Sequence, residues 1–244
     1  MNVLQLCNKS PFPPKEGGPI AMYNLGYGLM NQGHNVDILT MNTFKFSVDV
    51  DSLPVDYRYK TSFTAVFIDT RIKYREAFMN LFSSKSFHVQ RFDCQEFRNT
   101  LIHILKNKKY DIVQLETIYV APYIDTIRKY SKAKIVLRSH NIEHLIWQRY
   151  ARTIANPVKR KYINYLTAKL KKYEMKVFGT VDGIASITCV DADYIKSHGF
   201  STPVAVVPFG LDTQKYQTLA PDTCRPSFFH LGSMDWMPNQ EAIR

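Results

Sequence analysis

The sequence predicts an α/β fold with a doubly wound, mostly parallel sheet. Two observations predict it. The first forty residues read as strand, Pro/Gly-rich loop, helix and strand, and short apolar runs alternate with helical segments again from about residue 96 to residue 207. A strand followed by a helix and a second strand makes a parallel pair.

The first strand is Val3-Leu4-Gln5-Leu6, and its loop holds Pro11, Pro13, Pro14 and the pair Gly17-Gly18. A helix is expected over residues 19–32: Pro19 suits a first turn, Ala21, Leu25 and Leu29 recur on one face, and Gly33 supplies the stop. Val36-Asp37-Ile38-Leu39 is the second strand. Residues 43–91 give no clear period. Helix is expected again over 96–106, strand at 112–115, helix over 123–130 and strand at 134–137. Helices over 143–152 and 157–178 follow, then strand 183–187, helix 191–197 and strand 204–207. Residues 1–218 are read as one Rossmann-like domain and 219–226 as a polar, Pro-bearing connector. Phe228-Phe229-His230-Leu231, with Gly232 after it, opens a second α/β domain over 227–244 that is cut short.

A composition that is 45% hydrophobic and 13% aromatic supports a packed core. No apolar run approaches the roughly eighteen residues of a membrane span. The first residues also lack the basic-then-apolar pattern of a secretory leader, so a cytoplasmic location is expected. Cys7, Cys94, Cys189 and Cys224 are scattered without a C-x-x-C pair, the usage of reduced, mostly buried thiols. The formal charge of +11 favours an anionic partner. Nine Lys or Arg stand against the single acid Glu174 over residues 149–176, either as a solvated helix face or as a contact for a membrane or polyanion. Residues 71–92 interleave Arg71, Lys73, Arg75, Lys85 and Arg91 with Tyr74, Phe78, Phe82, Phe87 and Phe92. That pattern suits sugar stacking, a lipid headgroup layer, single-stranded nucleic acid or an ordinary amphipathic helix.

Several chemistries are disfavoured by missing signatures. Dinucleotide binding wants G-x-G-x-x-G and an acid at the end of the second strand, but that strand ends Leu39-Thr40-Met41-Asn42 with Asp37 inside it. Nothing matches a P-loop. His140-Asn141-Ile142-Glu143-His144 spells H-x-x-E-H, yet His140 directly follows a strand while His144 lies in the next helix, so a zinc site is not expected. His140 is instead read as facing a cleft at a strand's carboxyl end, with capping by Ser139, Asn141 and Glu143 as the structural alternative. Gly17 and Gly18, before a helix, are candidates for close approach by phosphate or, equally, for a tight turn that needs positive φ.

The Gly-Gly loop and its helix, Gly33-His34-Asn35-Val36, the strand end Arg138-Ser139-His140-Asn141 and Val206-Val207-Pro208-Phe209-Gly210-Leu211-Asp212 together resemble the N-terminal half of family-4 glycosyltransferases, which have the GT-B fold. The last phrase is similar to the family's IPNGVD, with Phe209 in place of Asn. Phe229-His230-Leu231-Gly232-Ser233, with Trp236 and Pro238-Asn239, looks like the start of the donor-binding domain. The resemblance implies retaining transfer of a sugar from a nucleotide-sugar to a glycan or lipid-linked acceptor, with no cofactor and no metal. Gly17, Gly18 and Gly232 would then meet the donor phosphates, and His140 would contact the transferred sugar. Asn141, Glu143, Arg138 and Glu116 would line the acceptor side of the cleft. The family's paired-glutamate motif would lie beyond Arg244, so this chain alone is expected to be inactive or weakly active. An anionic membrane surface is a candidate partner. A GT-B epimerase and a basic nucleic-acid-binding module are the alternatives, the latter disfavoured because no zinc-finger or RNP pattern is present.

Overall fold

β1 (Asn2–Cys7) pairs in parallel with β2 (Asn35–Asn42), Val3 opposite Val36 and Leu6 opposite Leu39, and α1 (Gly17–Asn31) makes the crossover between them. In this computed structural model residues 1–211 are described, with 213, 234 and 239; the proposed connector and second domain, including Gly232, lie outside the described residues. Gly33 ends the first helical segment with φ +79°, which lets the His34 N–H reach back to the Leu29 carbonyl at 3.1 Å. The buried face of α1 is Pro19, Ala21, Met22 and Gly26, while Leu25 and Leu29 are only half-buried, so the helix is rolled away from the expected stripe. Gly26 is the reason. A Cβ there would sit 3.0 Å from the Gln5 side-chain oxygen, and its absence lets α1 press directly onto β1.

The stretch without a clear period contains α2 (Val55–Lys60), β3 (Phe63–Phe67), α3 (Tyr74–Asn80) and α4 (Phe87–Gln90). β3 adds to the outer edge of β2 and is half-buried, which is why its Phe-Thr-Ala-Val-Phe run carries no strong core signal. The expected amphipathic unit over 71–92 divides in two. α3 carries exposed Phe78 and Met79, whereas α4 buries Phe87, His88 and Val89, with the His88 ring 4.1 Å from Trp147. Burial, and secondarily Arg91, lowers the His88 pKa to about 4.

From α5 (Gln95–Asn107) onward the alternation is regular. β4 (Ile112–Glu116) is followed by a 3₁₀ turn (Ile118–Tyr123) that runs into α6 (Ile124–Tyr130), then β5 (Lys134–Ser139), α7 (Glu143–Thr153) and α8 (Pro157–Phe178). β6 (Gly183–Ser186), α9 (Cys189–Ser197) and β7 (Val204–Val206) complete the described chain. The seven strands are parallel, in the order β3-β2-β1-β4-β5-β6-β7. One sheet face packs Leu4, Leu6, Val113, Leu115, Ile135 and Leu137 against Phe97 and Leu101 of α5 and Leu170 and Phe178 of α8. The other packs Val3, Cys7, Val36 and Ile38 against Met22 and Tyr57. Of the described cysteines only Cys7 is buried, because Cys189 opens a surface helix. Among the described residues no helix is long and apolar enough to cross a membrane.

Strand order reverses between β1 and β4, and the crevice at their carboxyl ends is where ligands bind in such sheets. The close seat of α1 therefore shapes the site. Gly26→Leu is expected to lower stability by about 2 kcal/mol, an overpacking cost. Gly28→Ala, at an exposed helical position with nothing within 4 Å, is expected to raise it by about 0.5–1 kcal/mol. Urea unfolding of the two variants checks both signs.

Candidate functional site

Parallel register puts Cys7 of β1, Glu116 of β4 and Arg138 of β5 side by side on one face of the sheet, with Gln5 and Gln114 opposite each other one step below. Glu116 is fully buried, so its carboxylate needs partners. The amides of Gln5 and Gln114 donate to Oε1 at 2.6 and 2.5 Å, Arg138 stands 4.0 Å from the same oxygen, and His140 Nε2 lies 2.6 Å from Oε2. Burial pushes the Glu116 carboxyl up, but the hydrogen bond and charge of His140, then the charge of Arg138 and the Gln5 hydrogen bond, outweigh it and hold the pKa below the ordinary value. An ionised carboxylate only accepts, so His140 donates through Nε2 and, in its neutral form, keeps Nδ1 as an acceptor.

Arg138 is also fully buried. It donates from Nη1 to the Ala21 carbonyl at 2.8 Å, while Gln5 donates to the Met22 carbonyl at 3.2 Å, so both Glu116 partners also tie down α1. Arg138 and Glu116 thus form the floor of the cleft rather than its lining. Thr117, the residue after Glu116, has φ +77°, a costly value for a β-branched side chain, and its N–H bonds the Arg138 carbonyl at 3.1 Å.

A second buried carboxylate holds the other end of the His140 loop. Glu174 of α8 accepts from the backbone N–H groups of Glu143 at 2.9 Å and His144 at 3.1 Å, and from His144 Nδ1 at 2.5 Å; His144 Nε2 pairs with the Tyr194 hydroxyl at 2.9 Å. The start of α7 is therefore capped by an acid 31 residues downstream, and its own N-cap residue, Ile142, supplies no side-chain cap. The two histidines of H-x-x-E-H go to different carboxylates. Among the described residues no group of three His, Cys, Asp or Glu could hold a metal ion. Glu143 is buried and accepts from the Tyr119 hydroxyl at 2.9 Å; burial, then the nearby Glu174 charge, raises its pKa to about 7. Asn141 is half-buried beside it.

At the mouth of the crevice, Gly17 is exposed with open space where a Cβ would be. Gly18 lies under the Lys9 side chain, whose Nζ would be 3.1 Å from an added Cβ and which pairs with Glu16 at 3.3 Å. Glu16 is the N-cap residue of α1 and makes no side-chain cap, so the first-turn amides of the helix have no side-chain partner there. Lys9 escaped the sequence reading because a lone lysine in a loop carries no signal until folding places it over the helix start. The phrase after β7 returns to the same helix: the Val207 N–H bonds the Ser186 carbonyl at 2.7 Å, and the Asn24 amide donates to the Gly210 carbonyl at 2.7 Å. Cavities of about 380 and 280 Å³ lie elsewhere, one lined by Arg75, Asn80 and Gln90 and the other by Asp37, His103 and Tyr110.

No protein-family model matches this chain, and no curated protein sequence does either. Solved structures do. Medicago truncatula UGT71G1 complexed with UDP-glucose aligns over 89% of this chain and 53% of its own with a TM-score of 0.57 and 14% identity. Starch Synthase IV of Arabidopsis thaliana, bound to ADP and acarbose, aligns over 88% and 52% with a TM-score of 0.51 and 16% identity. Phytolacca americana UGT2, complexed with UDP-2fluoro-glucose and pterostilbene, aligns over 88% and 56% with a TM-score of 0.51 and 12% identity. The fold matches half of a GT-B glycosyltransferase. At these identities the likeness is one of fold, and the chain spans about half the length of each GT-B structure.

Glu143 yields a test of the loop's electrostatics. Its folded pKa of about 7 exceeds the ordinary 4.5, so the folded chain holds the proton more tightly and stability declines as pH rises from about 4.5 to about 7. Glu143→Gln keeps an acceptor for Tyr119 and removes that decline. The variant is expected to match the parent at pH 4 and exceed it at pH 8 by about 1–3 kcal/mol in urea unfolding.

Proposed function

We propose that this chain is the acceptor-side half of a glycosyltransferase that moves a sugar, with retention, from a nucleotide-sugar to a glycan or lipid-linked acceptor. The observation that carries the proposal is the Glu116–His140 pair, 2.6 Å apart at the carboxyl ends of β4 and β5 and beside the start of α1. A carboxylate-backed imidazole at a sheet's switch point can accept a hydrogen bond or a proton from a sugar hydroxyl. GT-B structures with this fold hold UDP-glucose or ADP, which fits a nucleotide-sugar as the substrate class.

In this reading each residue has one physical task. The first-turn amides of α1, reached past Gly17 and Gly18, meet the donor diphosphate, and Lys9 adds a cation there. Charge grows on the diphosphate as the glycosidic bond breaks, so donors fixed in place stabilise the transition state more than the ground state. His140 touches the transferred sugar or the attacking hydroxyl through Nδ1. Glu116 and Arg138 are positioning residues, Asn141 and Glu143 shape the acceptor wall, and Gly232 opens the donor side. No cofactor or metal is assigned, and this chain alone would be inactive or weakly active. The same pair favours a second reading, in which His140 deprotonates the acceptor for direct displacement; the anomeric form of the product separates inversion from retention.

The test is turnover of UDP-, GDP- and ADP-sugars by the protein carrying this chain. One donor is expected to be consumed, with His140→Ala slowing transfer by about 10²-fold or more and Glu116→Gln slowing it less. Because Lys9 and the α1 amides are assigned the diphosphate charge, transfer is expected to persist in EDTA. Indifference to every donor, or full activity in His140→Ala, overturns the proposal.

A further inference from the structure

We infer that the cavity of about 280 Å³ between α5 and the amino ends of β1, β2 and β3 binds one neutral polyol ring, such as a sugar unit or an inositol. It lies at the end of the sheet opposite His140, and the inference does not rest on sugar transfer. At its centre is Asp37, an acid set between Val36 and Ile38 in β2 and only 7% exposed. Alternation along β2 turns Asp37, with Leu39, toward α5, and Thr64, opposite Leu39 on β3, shares that face.

A buried carboxylate needs partners, and those of Asp37 come from the chain entering β4. Lys108 Nζ donates to Oδ2 at 2.7 Å and the Tyr110 hydroxyl donates to the same oxygen at 2.6 Å, so Oδ1 keeps its acceptor capacity. Burial, then the Asp37 hydrogen bond, raises the Tyr110 pKa, so the phenol keeps its proton. The last turns of α5 close the cavity. The Asn107 amide donates to His103 Nε2 at 3.0 Å, which leaves a neutral His103 a donor at Nδ1 and Asn107 an acceptor at its carbonyl oxygen. Leu4 and Ile104 supply an apolar wall.

This lining fits hydroxyl groups better than ions. A hydroxyl both donates and accepts, and the cavity sets acceptors at Asp37 and Asn107 beside donors at Lys108 and His103, with Thr64 able to do either. The charges of Asp37 and Lys108 offset each other: an anion meets the carboxylate and a cation meets the ammonium. The volume falls just under the roughly 300–1,000 Å³ of drug-sized pockets, which is room for one ring and not for a nucleotide. Asp37, whose place inside β2 argued against dinucleotide binding, thereby has a task of its own.

The experiment is amide-correlation NMR of the chain titrated with myo-inositol, with the methyl α-glycosides of glucose, galactose and mannose, and with maltotriose; glucuronate and protonated glucosamine are the charged controls. At least one neutral probe is expected to shift the amides of Thr64, His103 and Tyr110 saturably. Tighter binding of a glycoside or of maltotriose supports a glycan as the source of the ring, and tighter binding of inositol supports a free polyol. His103→Ala with Asn107→Ala, both at exposed positions of α5, is expected to weaken binding about tenfold or more, and Thr64→Val on the facing wall to weaken it as well. No shift with any neutral probe, stronger binding of either charged control, shifts confined to the His140 crevice, or full binding by the double variant overturns the inference.

Discussion

A carboxylate with no access to water sits where β1, β4 and β5 meet. Glu116 can stay ionised there only because Gln5, Gln114, Arg138 and His140 converge on it. Two of these partners carry a second constraint. Gln5 and Arg138 also bind the Met22 and Ala21 carbonyls, so α1 must lie close over the sheet, and Gly26 makes that approach feasible. Removing one partner of a buried charge typically costs about 3–5 kcal/mol, enough to enforce strand register and helix placement together.

The loop between β5 and α7 is strung between two such anchors. Its first residue, His140, is held by Glu116, and its far end is held by Glu174 through two backbone amides and His144. One histidine is thereby set at the crevice while the other is locked inside, paired with Tyr194. A loop fixed at both ends keeps His140 within a narrow range of positions. The strained Thr117 beside Glu116 is a local cost of the same arrangement.

Much of the sheet was legible because fully buried parallel strands read as continuous apolar runs. Ile135-Val136-Leu137 announces itself, and Val3-Leu4 and Leu6 do so around a single polar Gln5. β3 did not, since an edge strand with half-buried residues loses that contrast. His140 was placed correctly at a strand's carboxyl end, but its partner emerged only from register, because Glu116 lies 24 residues away. The fixed face of α1 was misjudged for a related reason: periodicity favours Leu25, but the missing Cβ of Gly26 decides which side touches β1. Glu174, which stood out as the lone acid in a basic stretch, is a structural cap. Long-range capping of this kind leaves no local pattern to read.

The central claim is that an ionised Glu116 fixes the proton of His140 on Nε2 and leaves Nδ1 as an acceptor. Long-range proton–nitrogen NMR correlation of the histidine rings tests it most directly, with His140→Gln to assign the signal and Glu116→Gln to remove the acceptor charge. The account predicts a protonated Nε2 for His140, a pattern that changes in Glu116→Gln, and an Nδ1 resonance that moves when a nucleotide-sugar is added. An unprotonated Nε2, or a His140 signal indifferent to Glu116→Gln, would contradict it.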